Sequence, residues 1–213
     1  MPGFIDNGLP NVATFNGLEL FNADGSSTTG VNPISTSFQL YKLALVMTTM
    51  LNSLNKTMVA GTIYYTQYQI GNTYTPTPRG SAASTQSFSI TGVNVPVGST
   101  GGTDTWHVGV WNSAGVLVAR SITAGVTAST ALTIQQFPLY ATDGSTIGPV
   151  TLTSGNYYIG LQSNGTTANF KSINTPIWGV PTGSQTGTAG TLPAISSIAT
   201  TFTANLGPQV SLY

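Results

Sequence analysis

The chain has no cysteine, one histidine and almost no charge. Among its 213 residues are 5 Lys+Arg and 5 Asp+Glu, so the formal net charge is zero and charged residues are 5% of the total. An ordinary soluble domain carries about 25%. Without cysteine there is neither a disulfide framework nor a thiolate metal site. Five scattered cations build no basic patch, so no nucleic-acid partner is expected. One histidine and five carboxylates leave little material for acid–base chemistry. Met1-Pro2-Gly3-Phe4-Ile5-Asp6 lacks the cationic start and apolar run of a secretory signal. The most apolar window, Leu40 to Leu54, contains Lys42, Thr48, Thr49, Asn52 and Ser53. It is shorter than the roughly 20 mostly apolar residues of a membrane span, so no membrane segment is expected.

What is present argues for a packed protein. Apolar residues are 40% and aromatics 9%, against the charged, apolar-poor composition of disordered chains. Thr and Ser supply about a quarter of the residues, with 25 Gly and 12 Pro. A neutral Thr/Ser/Asn/Gly surface disperses poorly as a small monomer and is tolerable where an assembly covers much of it.

Residues 1–35 are Gly/Asn/Thr-rich and non-periodic, with turn chemistry throughout Asn22 to Gly30. They read as an extended arm anchored by Val12, Phe15, Leu18, Leu20 and Phe21. The spacing over 36–60 predicts an amphipathic helix. Ser35, Thr36 or Ser37 caps it, and Leu40, Ala44, Met47, Leu51, Leu54 and Met58 form a heptad seam. Gly61 stops it. That seam packs either on its own domain or against copies of itself around a symmetry axis.

From residue 61 to 175 the period becomes two, and Gly/Pro/Asn turns interrupt Val/Ile/Thr/Tyr/Phe segments. Strands are expected at 62–70, 86–97, 104–111, 117–122, 131–139, 149–152, 156–162 and 168–173. Alternation puts Trp106, Val108 and Val110 on one face and His107, Gly109 and Trp111 on the other. It likewise separates Tyr157, Ile159 and Leu161 from Tyr158, Gly160 and Gln162. Asn112 to Gly115 reads as a hairpin and Asp143-Gly144 as a turn. The pattern predicts a mainly β fold: a jelly-roll-like antiparallel β-sandwich preceded by the arm and the helix. Residues 176–213 read as a second arm with a last strand, within 196–206, packing on the sandwich.

Catalytic constellations are missing. His107 and Asp104 stand three apart in a strand and point to opposite faces, and no Gly-x-Ser-x-Gly marks a nucleophile. Of Asp6, Glu19, Asp24, Asp104 and Asp143, three lie in the arm and Asp143 in a turn, so paired carboxylates for glycoside hydrolysis could meet only between subunits. Asp24-Gly25-Ser26 and Asp143-Gly144-Ser145 are isolated turns rather than calcium loops. Asn164-Gly165-Thr166 matches a glycosylation acceptor but reads as a turn. No catalytic residue, metal or cofactor is expected. Sugar binding is the one small-molecule role with candidates: Trp111, Tyr140, Tyr158 and Trp178, whose rings could stack on sugar faces.

Several segments together resemble a known group. They are Ala13 to Gly17, Val93 to Val108, Trp111 to Ala119, Gly155 to Ala168 and Thr201 to Pro208. The ensemble resembles virion structural proteins of tailed bacteriophages. The resemblance implies a β-rich, non-enzymatic protein displayed on a particle, as a capsid decoration, a head fibre or a tail part. Such a protein is assembled in the host cytoplasm, where thiols stay reduced and disulfides are not expected. Its partners would be its own copies, as a homotrimer, and the major capsid protein or other virion proteins. Leu40, Met47, Leu51, Leu54, Met58, Phe15 and Phe21 are the expected assembly contacts. A tail or fibre component that binds host glycan is the alternative.

Overall fold

The computed structural model describes residues 14–15, 18–19, 53–70, 87–174 and 180–213. The chain divides into a unit of residues 1–47 and a unit of residues 48–213. In the first, β1 (Thr14–Phe15) and β2 (Leu18–Glu19) pair antiparallel. The second contains β3 (Ser53–Thr57), β4 (Thr62–Ile70), β5 (Ser87–Ile90), β6 (Gly92–Pro96) and β7 (Thr105–Asn112). These are followed by β8 (Leu117–Arg120), β9 (Val126–Thr127), β10 (Ile134–Pro138), β11 (Val150–Thr153) and β12 (Gly155–Ser163). The last are β13 (Asn169–Ile173), β14 (Thr182–Thr186) and β15 (Ser211–Leu212). Every pairing is antiparallel and, among the described residues, no helix is present. The protein is mainly β.

The main sheet runs β14-β4-β12-β7-β8, with β9 also paired to β7. Its inner strands are rich in Tyr, Ile, Val and Trp, which suit a pleated, buried surface. The alternation read from sequence holds in β7 and β12. Trp106, Val108 and Val110 join Tyr157, Ile159 and Leu161 in a core completed by Ile90, Val93, Val95, Phe137, Leu152 and Phe170. Those partners come from the smaller ladders β10-β6-β15, β11-β5 and β13-β3. At the β7–β8 hairpin, the Asn112 side chain accepts from the Ala114 and Val116 amides at 3.0 Å each. Gly115 then takes φ 76° to let β8 return.

The opposite face of the main sheet carries a second core of Ile63, Tyr65, Trp111 and Tyr158, closed by Leu192 and Ile195. Gly109 and Gly160 are directly paired at its centre. The Trp111 indole lies over both. A Cβ at Gly160 would stand 3.0 Å from the ring, and one at Gly109 would overlap it. Tyr65 covers Gly183 in the same way. Large rings on bare backbone fill the layer without spreading the strands.

Two expectations are corrected. Residues 53–57, expected within the last part of the 36–60 helix, form β3 and pair with β13, and residues 58–60 lead into the turn before β4; residues 36–52 of that helix lie outside the described residues. Asn and Thr are poor helix formers, and tertiary pairing decides for strand: Ser172 donates to the Leu54 carbonyl at 3.0 Å, and Lys56 lies 5.4 Å over the Tyr64 ring. No strand forms over 196–206; the strands of the C-terminal region are β14 and β15.

The stacked indole gives a paired test. Gly109→Ala forces a methyl into the Trp111 ring and should lower unfolding free energy by about 1–3 kcal/mol in urea titration. Gly148→Ala, where a Cβ meets nothing within 4 Å, should stay within about 0.5 kcal/mol.

Candidate functional site

Leu40, Met47, Leu51, Phe21 and Trp178 lie outside the described residues. Phe15 is placed in β1. Leu54 is exposed on β3, whereas Met58 is in the core of its own chain. The glycan candidates are redistributed. Trp111 has no exposed surface and Tyr158 is buried, so neither ring offers a face to a sugar. The Trp111 Nε1 donates to the Pro193 carbonyl at 2.9 Å. Tyr158 meets Tyr65 edge-on at 5.7 Å between centroids. Tyr140 is half-buried, and its backbone bridges Arg120 and Ile147. What sequence reasoning missed is the irregular stretch 188–199, a Gly/Thr/Pro/Ser strap that covers this face.

Polar side chains hold that strap, because it has no strand partner for its own amides and carbonyls. Buried Gln162 donates to the Gly61 and Thr188 carbonyls at 2.9 and 3.1 Å and accepts from the Gly190 amide at 2.8 Å. Gln185 accepts from the Ser196 amide at 2.7 Å and donates to the Ala194 carbonyl at 2.9 Å. The Tyr65 hydroxyl donates to Ser197 and accepts from the Ala199 amide; burial pushes its pKa up.

The ionisable groups nearby serve the backbone. Asp104 is buried and accepts from the Thr167 and Ala168 amides at 2.7 and 2.8 Å, fixing the 164–168 turn. Asn164 accepts from the Thr105 amide at 2.7 Å, so this Asn-Gly-Thr is a turn in the structure. Buried Arg120 donates to the Ser121 and Gly190 carbonyls at 3.3 and 2.9 Å. Burial lowers its pKa. Burial first, and the Arg120 charge second, also lower that of His107. Asp143 is exposed. The Ser145 and Thr146 amides, with those residues' side chains, hold it well below the usual carboxylate range. Among the described residues no group of three or more His, Cys, Asp or Glu could hold a metal ion.

The outward features lie elsewhere. Leu132 is 71% exposed at φ 60°, and Ile134 beside it is 51% exposed. A left-handed leucine costs on the order of 1 kcal/mol, and the loop that imposes it is tightly determined. The Leu132 amide donates to Gly98 and the Val97 amide to Thr133, both at 2.8 Å. Gln135 ties the Ser129 amide and the Thr127 carbonyl at 2.9 and 2.8 Å. The facing 97–102 loop is pinned in turn: Asn169 accepts from the Thr100 amide at 3.0 Å, and Asn55 from the Ser99 amide at 3.1 Å. The result is an apolar knob on a rigid base.

A second surface is the outer face of β10-β6-β15. Gln136, Asn94 and Ser211 stand in register across it, and the Tyr213 ring lies over Gly92. The Asn94 amide donates to Ser211 at 3.2 Å, and its Oδ1 has no partner among the described residues.

No protein-family model, curated protein or solved structure matches this chain.

The Asp104 arrangement is open to a direct test. Asp104→Ala leaves two amides without an acceptor and should cost about 3 kcal/mol of stability, read as a fall in the denaturant midpoint.

Proposed function

We propose that this chain is a non-enzymatic virion structural protein of a tailed bacteriophage, a capsid-decoration or head-fibre protein. In this reading it folds as a jelly-roll-like sandwich, assembles as a homotrimer and binds the major capsid protein. It is assembled in the host cytoplasm and resides on the virion.

The observation that carries this reading is Leu132. A large apolar side chain is held out to solvent, on a strained backbone, by a loop with every means to keep it there. Strain that the surrounding structure maintains marks a functional position. An apolar knob on a surface with few charges fits burial against another protein, since so neutral a surface gains little by staying wet. Leu54 on β3 and Ile147, which is 63% exposed, add apolar surface for assembly to cover. Asp104 and Arg120, both buried, serve backbone groups, which accords with a structural rather than a catalytic role.

The second reading is a tail or fibre component that binds host glycan. The outer face of β10-β6-β15 favours it. Tyr213 supplies a ring, and the Gln136–Asn94–Ser211 row supplies neutral donors and acceptors. Loss of glycan-array signal in Tyr213→Ala, with signal in the parent, would select this reading.

Leu132→Gly separates folding from assembly. It relieves the left-handed strain and should raise unfolding free energy by about 0.5–1 kcal/mol. It removes the knob, so light scattering should show loss of the multimer or of capsid binding. A variant that is more stable and assembles like the parent would remove Leu132 from the interface. Electron cryomicroscopy of the source particle completes the test: the expected result is regular density for this chain on the capsid lattice, and absence from the particle would end the virion reading.

A further inference from the structure

The histidine, the buried arginine and the strap meet at one place. His107 is directly opposite Gln162 in the β7–β12 register, and Gln162 holds the Gly190 amide. Arg120 holds the Gly190 carbonyl from the other side. The imidazole edge lies against this same residue, since a Cβ on Gly190 would stand 3.5 Å from both Cε1 and Nε2. Gly125 also lies against this edge, with a Cβ there 2.6 Å from Cε1 and 2.9 Å from Nε2. The histidine is 5% exposed, and its Nδ1 has no hydrogen-bond partner among the described residues.

This geometry accepts a neutral imidazole and has no place for a charged one. In the imidazolium both nitrogens donate. A proton on Nδ1 would point at no acceptor, and an unpaired buried donor is costly. Its charge would sit beside the Arg120 guanidinium. The groups packed on His107 from β12, the 121–125 turn and the 188–190 turn are Gln162, Gly125 and Gly190, none of which titrates. Among the described residues Arg120, from β8, is the charged group that acts on it. Asp104, on the histidine's own chain segment, is taken up by the Thr167 and Ala168 amides.

We propose that the 188–199 strap is an acid-responsive latch: protonation of His107 drives the Gly190 turn off the sheet and bares the Trp111–Tyr158–Tyr65 layer beneath it. The strap is suited to lifting alone. It contributes no strand, and polar side chains hold it together with two buried apolar anchors, Leu192 and Ile195. Leu192 itself sits at φ 45°, a conformation that opening would relax.

The direction follows from proton linkage. Burial and then Arg120 hold His107 below its usual range while the latch is closed. Open, the imidazole is hydrated and titrates near its ordinary value of about 6.5. Between the two values the open form binds more protons, so the closed form loses stability as pH falls through about 6.5. The loss levels off below the closed-state value.

Hydrogen exchange on the full chain tests the latch, compared at about pH 7.5 and about pH 5 after correction for intrinsic rates. The Gly190, Ile195 and Ser196 amides, which bond Gln162, Gly115 and Gln185, should lose protection by up to about tenfold per pH unit in the titrating range. Amides of β4 and β12 should hold theirs. In His107→Gln the strap should exchange at rates independent of pH. Equal protection at both pH values, or the same loss in the variant, would overturn the proposal. Should His107→Gln fail to fold, the chain's one histidine gives an unambiguous proton resonance. Titration well below about 6.5 supports the latch, and titration at or above it overturns the latch.

Discussion

The indole of Trp111, laid across Gly109 and Gly160, governs how the rest of the molecule is arranged. It makes the second face of the main sheet a deep apolar layer, and such a layer has to be covered. On the first face the smaller ladders provide the cover with their own regular hydrogen bonding. On the second face the cover is an irregular strap. An irregular backbone against a dry surface has to find partners for each of its polar groups. Those partners are the side chains of Gln162, Gln185, Tyr65, Trp111 and Arg120. The two faces of one sheet therefore follow different physics, ladder against ladder on one side and side chain against main chain on the other.

This division accounts for the odd composition. Where many domains use ion pairs, this one uses amides and hydroxyls. Asn55 and Asn169 fasten one loop, Asn112 a hairpin, and Thr182 the Thr203 segment. A neutral hydrogen bond carries a smaller desolvation penalty than a buried ion pair. A dense network of such bonds can therefore be buried beneath strands and loops that lack charge. The aromatics placed on glycines belong to the same economy of space, since they fill volume without needing partners on every side.

Much of the β architecture is legible in the sequence. β4 matches the bounds read from sequence, and β12 lies within a residue of them at either end, because Tyr- and Ile-rich runs bounded by turn residues read as strands. The division of β7 and β12 into two faces was legible from the alternation of their residues. β3 was not. Leu51, Leu54 and Met58 are three and four apart, a spacing that fits one helical face, and β3 shows no two-residue burial alternation to oppose it. Only pairing with β13 decides for strand. The burial of Trp111 and Tyr158 was hidden for a different reason. Alternation assigns a side chain to a face but does not say what covers that face, and the covering strap has the Gly/Thr/Pro/Ser composition of a loop. Nor does any periodicity announce Leu132, whose exposure and backbone strain arise from hydrogen bonds made by residues 97–102 and 129–135.

The neutral fastenings have a consequence for the conditions the fold can occupy. Dissolved ions weaken attraction between exposed charges by shortening the distance over which they feel one another, from about 30 Å at 0.01 M to about 3 Å at 1 M. A structure held mostly by Asn, Gln, Thr and Tyr hydrogen bonds, with the charged fastenings Asp104 and Arg120 buried, presents little for that screening to act on. The described loops and the strap are therefore fastened nearly as well in brine as in fresh water.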